Sequence, residues 1–312
     1  MANELELVEW IRSQVQPRPR SRIALGIGDD CAVYRPRGSA EDLLFTTDLL
    51  IEGVHFQRGT HAAEAVGHKA LARGLSDIAA MGGKPRFCLL SLAVAPWTDR
   101  RWMQRFYRGL LGLAGGADTL LAGGDLARAE RVTCDIVVCG AVPRGTALRR
   151  DGAHPGDGIY VSGRLGGSAL GLETRRGRAW RRHLAPQPRL SLGVYLRERL
   201  RATSAMDLSD GLSLDLRRLC LASKLAARIS EPPRFAGASL EQALHGGEDY
   251  ELLFTVPRGT RVPDEFAGVP LSRIGEMRRG TPGQVRLDGR PLAPLGYDHF
   301  QTHAAPRTDA RT

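Results

Sequence analysis

The chain has 312 residues, of which 42% are hydrophobic and 25% are charged, as in an ordinary globular protein with room for a large core. Lys and Arg outnumber Asp and Glu by 44 to 34, but nearly all the basic residues are arginines, a bias typical of GC-rich codon usage. No apolar run approaches the roughly 20 residues that cross a bilayer, and the acidic segment Met1–Trp10 is unlike a signal peptide. The five cysteines lack CxxC spacing. We therefore expect a cytoplasmic protein without zinc, and neither nucleic acid nor a membrane as its partner.

The first half of the chain alternates helical and strand patterns. Apolar residues at helical spacing predict a helix over 3–16, and the run Leu43–Thr47 predicts a strand that ends at Asp48. The chain then predicts, in order, a helix at 62–81, a strand at 88–95, a helix at 99–114 and strands at 119–122 and 131–142. This alternation is typical of an α/β unit, and we expect the unit to end near Pro143.

The second half begins a similar pattern. The chain predicts a strand at 158–162, a helix after Gly166-Gly167, a helix at 188–200, a strand at 205–207, a helix at 211–222 and a strand at 251–256. The arginine-rich segment 175–182 has one aromatic residue, Trp180, and lacks the series of aromatic residues that forms a stacking platform in nucleic-acid sites, so we interpret it as a solvated loop. Strand ends that carry carboxylates occur in both halves, which indicates a cleft between two similarly built lobes.

Short acidic motifs recur along the chain, each set among glycine or hydroxyl residues at the end of an apolar run. They contain Asp29 with Asp30, Asp48, Asp77, Asp125, Asp207 with Asp210, and Glu248 with Asp249. Glycine lets the backbone approach a ligand closely, and carboxylates brought together repel one another unless cations neutralise them. Magnesium suits such oxygen ligands and often bridges them to phosphates. The motifs therefore predict a site with several magnesium ions for phosphate chemistry.

Single motifs leave structural alternatives open. Asp77 lies in an apolar helical pattern, where a cap or a salt bridge would compensate its burial as well as a metal would. Asp210 could cap the helix that follows it, and His55 alone is compatible with packing or with binding. The glycine-rich segment 163–171 fits a phosphate-binding helix N-terminus and a tight turn equally well. The chain has no P-loop motif and no dinucleotide-binding fingerprint.

Taken in order, the motifs resemble those of one enzyme family. The relevant segments are GIGDDCAVY, TTDLLIEGVHF, KALARGLSDIAAMGG, LLAGGD, RRDGAHPGDGIYVSG, AMDLSDGLSLDL, HGGEDYELLFTV and GYDHF. Between about Gly26 and Phe300 they resemble the bacterial thiamine-monophosphate kinases, which belong to the aminoimidazole ribonucleotide synthetase superfamily of ATP-using proteins.

The resemblance implies direct in-line transfer of the γ-phosphoryl group of ATP to thiamine phosphate, the final step of thiamine diphosphate biosynthesis. It implies a two-lobed α/β fold and a homodimer. The N-terminal lobe, 1–143, would bind ATP and magnesium and pair its sheet with that of the second copy into a β-barrel. The C-terminal α/β lobe, 144–312, would complete the substrate site, and we expect the tail 301–312 to be flexible.

Site residues follow from the same resemblance, motif by motif. The implied magnesium ligands are Asp30, Thr46, Thr47, Asp48, Asp77, Asp125, Asp207 and Asp210. The implied ATP contacts are Gly124, Asp125, Arg150 and Ser209. The implied thiamine phosphate contacts are His55, Glu248 and Tyr297, of which Tyr297 is available to stack on the substrate rings. No side chain is implied as a nucleophile.

The chain departs from the family pattern at Arg73-Gly74, where Val-Asn is frequent, and at Leu126, where Thr is common. Two rival functions remain within the superfamily. One is another ATP-using enzyme, such as a selenophosphate synthetase, which would need a reactive cysteine before Cys31. The other is a non-catalytic maturation factor, of which one type ends in a modified cysteine, whereas this sequence ends at Thr312.

Overall fold

The first of two β-sheets is formed by the N-terminal part of the chain. In the computed structural model, which describes residues 4–15 and 21–300, its order is β1-β2-β3-β6-β4-β5. The elements are α1 (Glu4–Gln14), β1 (Ile23–Leu25), β2 (Ala32–Tyr34), β3 (Glu41–Ile51), α2 (Ala63–Ala80), β4 (Lys84–Val94), α3 (Arg100–Gly116), β5 (Leu120–Arg128) and β6 (Thr133–Pro143). Neighbouring strands run antiparallel except β4 and β5, which are parallel.

Helices α2 and α3 cover one face of this sheet. Alternation along β3 buries Leu44, Thr46 and Leu50 on the helix-covered side. Two glycines let α2 and α3 approach each other: a Cβ at Gly67 would lie 2.0 Å from the carbonyl oxygen of Phe106, and one at Gly109 would lie 1.9 Å from that of Glu64. Gly67 lowers the helix propensity of α2, but it permits the close packing of α2 against α3.

The second sheet is formed by the C-terminal part, with strand order β14-β13-β9-β12-β7-β10-β8 and β11 paired to β12. Its elements are β7 (Gly158–Ser162), α4 (Gly167–Thr174), α5 (Gly177–Leu184), α6 (Leu190–Tyr195), β8 (Ser204–Asp207), α7 (Leu212–Ala222), β9 (Ala226–Ile229), α8 (Leu240–His245), β10 (Leu252–Val256), β11 (Glu265–Phe266), β12 (Val269–Arg278), β13 (Val285–Leu287) and β14 (Arg290–Pro291). A 3-10 turn spans Arg150–Gly152 and a π-helical turn spans Leu196–Leu200.

An apolar cluster joins the two sheets through the C-terminal end of α2. Ala79 and Ala80 pack there with Leu192, Leu196 and Phe254. The contact is close, because a Cβ at position 193, a glycine on α6, would lie 2.0 Å from the carbonyl oxygen of Ala79. Helix α2 therefore packs against both halves of the chain.

Every predicted helix and strand of the sequence pattern has a counterpart among the described residues, but several differ in extent. Strand β3 continues past Asp48 to Ile51, so Asp48 lies within a strand and not at its end. The interpretation of 175–182 as a loop is wrong, because Gly177–Leu184 is the helix α5, but Arg175, Arg176, Arg178 and Arg181 are exposed as expected. Residues 301–312 lie outside the described part. Among the described helices, none is both long and apolar enough to cross a membrane.

Candidate active site

A cavity of about 960 Å³ lies between the two sheets and collects most of the predicted site residues. Its lining includes Asp30, Thr46, Thr47, Asp48, His55, Asp77, Arg150, Asp207, Ser209, Asp210, Glu248 and Tyr297. These residues come from β3, α2, β8 and the loops around them, so both halves of the chain are needed to form the cavity. Gly124 and Asp125 are the predicted residues that the structure does not bring to it.

Three carboxylates of the lining meet in this cavity. One oxygen each from Asp30, Asp77 and Asp207 lies within 4.8 Å of the others, and we call this group the acidic centre. Hydroxyl groups orient two of its members: Thr46 Oγ1 donates to Asp77 Oδ2 at 2.5 Å. Ser76 Oγ donates to Asp207 Oδ2 at 2.7 Å.

The acidic centre holds more negative charge than its surroundings compensate. Burial, and then repulsion by neighbouring carboxylates, raises the pKa of Asp77 and of Asp207 well above the usual range. Arg150 contacts Asp30 Oδ1, but Asp30 Oδ2 is buried without a hydrogen-bond partner among the described residues. Oxygen ligands that are clustered, buried and undercompensated fit a hard divalent cation such as Mg²⁺.

Asp48 and Thr47 lie near the acidic centre but have partners of their own. Asp48 Oδ1 accepts from Arg73 Nε at 2.9 Å and from Arg73 Nη2 at 2.5 Å. Thr47 Oγ1 donates to Asp135 Oδ1 at 2.5 Å. Asp135 also lines the cavity and was missed from the sequence, where an aspartate inside the apolar strand pattern of β6 was the available signal.

Asp210 does not cap the helix that follows it, so that alternative is wrong. The carboxylate of Asp215 accepts hydrogen bonds from the backbone amides of Asp210 at 3.1 Å and of Gly211 at 3.0 Å. The side chain of Asp210 instead contacts Arg218, another cavity residue that the sequence did not reveal. Asp210 is therefore available at the cavity wall, with an arginine as its present counter-ion.

A second end of the cavity is formed around Glu248, whose partner Lys69 lies two helical turns before Asp77 on α2, about 12 Å along the helix axis. Lys69 Nζ lies 2.7 Å from Glu248 Oε1, and the Lys69 side chain is only 1% exposed. Burial opposes ionisation of Glu248, but the charge of Lys69, followed by that of His183, outweighs it and lowers the pKa of Glu248 to about 2. Backbone φ angles of 65° at Glu248 and 49° at Tyr250 are uncommon for residues other than glycine, and they fix the shape of this loop.

His55 presents a hydrogen-bond donor to the same end of the cavity. Its Nδ1 accepts from the backbone amide of Ile51 at 3.0 Å, so the proton of the neutral ring is on Nε2. Burial, reinforced by the positive charge of Arg73, lowers the pKa of His55 to about 3. Nε2 is buried and has no partner among the described residues. His55 is thus a neutral donor at neutral pH.

Aromatic rings close this end. The rings of Tyr297 and His299 meet edge to face with centroids 4.8 Å apart, and His299 lies 5.2 Å from His55. Tyr297 is held by its backbone amide, which donates to the carbonyl oxygen of Asp210 at 2.9 Å. Residues Leu5 and Val8 of α1 also line the cavity, although their helical pattern carried no functional signal in the sequence.

The remaining predicted residues lie on β5, at the edge of the first sheet. Asp125 is exposed there, opposite Ser91 of the parallel strand β4. A Cβ at Gly124 would lie 1.8 Å from the carbonyl oxygen of Leu90, so glycine is required for this strand pairing. The metal and ATP roles of Asp125 and Gly124 stay predictions.

The chain is similar to known proteins over nearly its full length. Residues 28–142 match the family model "AIR synthase related protein, N-terminal domain". The chain is 39% identical to the thiamine-monophosphate kinase of Escherichia coli (strain K12), with 91% of this chain and 94% of that protein covered. It is 34% identical to the enzyme of the same name from Bacillus subtilis (strain 168), with 90% and 95% covered.

Solved structures agree with these relatives. "AaThiL complexed with AMPPCP and TMP" superposes with a TM-score of 0.83 at 32% identity, covering 96% of this chain and 97% of that one. The thiamine-monophosphate kinase of Stenotrophomonas maltophilia K279a gives a TM-score of 0.75 at 37% identity, with 93% and 98% covered. The motifs that meet in the cavity and these full-length similarities lead to the same result: the chain belongs to the thiamine-monophosphate kinase family.

Proposed function

We propose that the protein transfers the γ-phosphoryl group of ATP to thiamine phosphate, giving thiamine diphosphate and ADP. The observation that carries this proposal is the single cavity in which the acidic centre lies at one end and His55, Glu248 and Tyr297 lie at the other. One end suits metal-bound phosphates, and the other suits an organic cation with aromatic rings. Family membership and the AMPPCP and TMP complex of a relative support the same substrates.

The acidic residues are the proposed ligands of several magnesium ions. The proposed set is Asp30, Thr46, Thr47, Asp48, Asp77, Asp125, Asp207 and Asp210. Its support is the buried, unpartnered Oδ2 of Asp30 and the raised pKa of Asp77 and Asp207, both of which a divalent cation would relieve. Bound magnesium would supply charge neutralisation and alignment of the phosphates.

Arg150, Ser209 and Gly124, with Asp125, are the proposed ATP contacts. Arg150 is positioned at the edge of the acidic centre, where its guanidinium contacts Asp30 and its Nε is buried without a partner among the described residues. A guanidinium fork matches phosphate oxygens well. Arg150 is therefore suited to a polyphosphate held beside the carboxylates.

His55, Glu248 and Tyr297 are the proposed contacts of the thiamine moiety. The ionised Glu248 would pair with the positively charged thiazolium ring or accept from the amino group of the pyrimidine, and Tyr297 would stack on a ring. His55 would donate from Nε2, which its hydrogen bond to Ile51 leaves protonated. Lys69 already balances the charge of Glu248, so this carboxylate is better suited to accept a hydrogen bond from the substrate than to hold a metal.

The chemistry needs no protein nucleophile. The acceptor is a phosphate monoester whose oxygen is already ionised at neutral pH, so it attacks the γ-phosphorus directly while the bond to the ADP oxygen breaks. The residues of this chain contribute positioning and electrostatic stabilisation. We predict sequential kinetics and no phosphorylated protein; a phosphoenzyme trapped during turnover, or ping-pong kinetics, would contradict direct transfer.

We further propose a cytoplasmic homodimer that is built from an N-terminal lobe (1–143) and a C-terminal lobe (144–312). Support comes from the face and edge of the first sheet, where Leu120 and Leu126 are 68% and 64% exposed and Leu49 is 47% exposed. Pairing of two such sheets into a barrel would cover these side chains. Light scattering of the purified protein tests this, and a monomer at micromolar concentration would overturn it.

A coupled ADP-release assay tests the activity. Thiamine phosphate is the expected acceptor, and thiamine and aminoimidazole precursors serve as controls. Turnover that requires thiamine phosphate supports the proposal. Turnover only with another acceptor would move the protein to a different reaction of the superfamily, and no turnover with any acceptor would favour a non-catalytic role.

A further inference from the structure

Helix α2 carries three charged residues at four-residue spacing, Lys69, Arg73 and Asp77, and this spacing directs them to one side of the helix. Asp77 belongs to the acidic centre, and Lys69 is paired with Glu248 at the opposite end of the cavity. Arg73 lies between them along the helix and lines the cavity. The helix thus presents a basic group at the boundary between the two ends.

The contacts of Arg73 leave part of its fork available. Among the hydrogen bonds of the described residues, those of Arg73 run from Nε and Nη2, and both end on Asp48 Oδ1. A bidentate pair would use both oxygens of the carboxylate, so this geometry leaves Asp48 Oδ2 and Arg73 Nη1 for other partners. The side chain is 13% exposed, and that exposure is toward the cavity that it lines.

The surroundings of Arg73 include both proposed substrate contacts. Its charge acts on His55 and on Glu248, whose pKa values it helps to lower. The thiamine moiety would lie against these two residues, and the acceptor phosphate must point from there toward the acidic centre. That phosphate would pass Arg73, which is a strong donor to phosphate oxygens and remains charged at any physiological pH.

We propose that Arg73, at a position where the family often has Val, binds the phosphate group of thiamine phosphate and strengthens the preference of this chain for the phosphorylated acceptor over thiamine. The inference rests on the proposed function. It assigns to Arg73 a direct contact with the substrate, with Asp48 as the group that holds the guanidinium in place before the substrate arrives.

The test measures binding of thiamine phosphate and of thiamine by titration calorimetry, with magnesium fixed and no nucleotide present. Arg73→Gln removes the fork and the charge, Arg73→Lys keeps the charge alone, and Arg86→Gln is the control, since Arg86 is exposed, pairs with Glu41 and does not line the cavity. We expect Arg73→Gln to weaken thiamine phosphate binding about 10- to 100-fold, the range of a lost charge-assisted pair. Binding of thiamine should be unchanged, Arg73→Lys should be intermediate, and Arg86→Gln should match the wild type.

Steady-state kinetics and thermal unfolding separate the possible causes. In Arg73→Gln the KM for thiamine phosphate should rise while the KM for ATP stays the same. The magnesium requirement should stay the same or fall, because Asp48 loses a competing cation. Three outcomes would overturn the proposal. Arg73→Gln could weaken thiamine phosphate and thiamine equally, or it could fold normally and keep the wild-type preference for thiamine phosphate. It could also need more magnesium while it binds thiamine phosphate normally. The ADP-release assay on the wild-type protein tests the proposed function separately. If the wild type does not turn over thiamine phosphate, the proposed activity is wrong, independently of the Arg73 results.

Discussion

The acidic centre and the surroundings of Glu248 are both buried, anionic ends of one cavity, yet they handle negative charge in opposite ways. Burial, followed by repulsion among Asp30, Asp77 and Asp207, keeps the pKa of Asp77 and Asp207 raised. Glu248 has Lys69 at 2.7 Å, and its pKa falls to about 2. The acidic centre therefore has charge that a bound cation would relieve, whereas Glu248 already has a cation that the fold supplies. This difference supports the proposed metal role of the acidic centre and argues against one for Glu248.

The largest effect should come from removing one carboxylate of the acidic centre. In Asp207→Asn the amide still accepts from Ser76, but the negative charge is lost, and we expect kcat/KM to fall roughly 100- to 1,000-fold. Stability without magnesium should stay level or rise, because repulsion decreases. The ADP-release assay and thermal unfolding measure the two quantities, and Asp151→Asn, at the exposed Arg149 pair, is the control. Near-normal turnover in Asp207→Asn would mean that the acidic centre takes no part in the reaction.

Lys69 provides the complementary test at the other end. Lys69→Met removes the cation and leaves Glu248 charged and uncompensated, which should cost about 3 kcal/mol of unfolding free energy. The double variant Lys69→Met with Glu248→Gln should recover part of that loss, since no buried charge remains unpaired. Urea unfolding of the single and double variants measures this coupling. If the two losses simply add, Lys69 does not compensate Glu248.

Local patterns predicted the acidic centre well and the counter-ions poorly. Asp30, Asp77 and Asp207 lie in short motifs whose glycine and hydroxyl neighbours mark them individually. The carboxylate-bearing strand ends in both halves predicted that these residues share one site, and the resemblance of the motifs to one family gave the individual roles. Lys69 gave no signal, because its partner Glu248 is far away in the sequence and a lysine in a helix is usually solvated.

The wrong prediction for segment 175–182 has the same cause, because the contacts that decide its structure involve residues far away in the sequence. Arginines in a row indicate solvent exposure, but Arg182 Nη2 donates to Glu251 Oε1 at 2.6 Å, and the Trp180 ring stacks on His183 with centroids 5.1 Å apart. Those contacts belong to the tertiary structure, and helix α5 depends on them more than on its own propensity. Arginine-rich composition alone therefore said little about this region.

Magnesium should distinguish the two ends thermodynamically. Addition of magnesium at about 100 times its Kd should stabilise the wild-type protein by about 2.7 kcal/mol for each independent site. The increase should be smaller in Asp207→Asn and preserved in Lys69→Met, because the lysine variant leaves the acidic centre intact. Thermal unfolding with and without MgCl₂ measures the shift, and sodium chloride at matched ionic strength controls for screening. A magnesium shift that grows in Lys69→Met would mean that Glu248 binds the metal once its lysine is gone, and a shift that disappears would contradict the assignment of magnesium to the acidic centre.

The smallest effect concerns the pH dependence of the end around Glu248, where His61 packs against His183 with Nε2 atoms 3.2 Å apart. Burial lowers the pKa of His61 to about 4 from 6.5, so the unfolded chain binds a proton that the folded protein refuses. The contribution of His61 to stability is therefore full above pH 6.5 and declines as the pH falls from 6.5 to about 4. When the pH is lowered from 8 to 5.5, the unfolding free energy of both proteins falls. The fall should be about 1 kcal/mol smaller in His61→Asn than in the wild type. Chemical denaturation at the two pH values measures the difference. If the pH dependence of the variant equals that of the wild type, His61 is protonated in the folded protein. A second cation would then lie near Lys69, at the end of the cavity where the fold already supplies one.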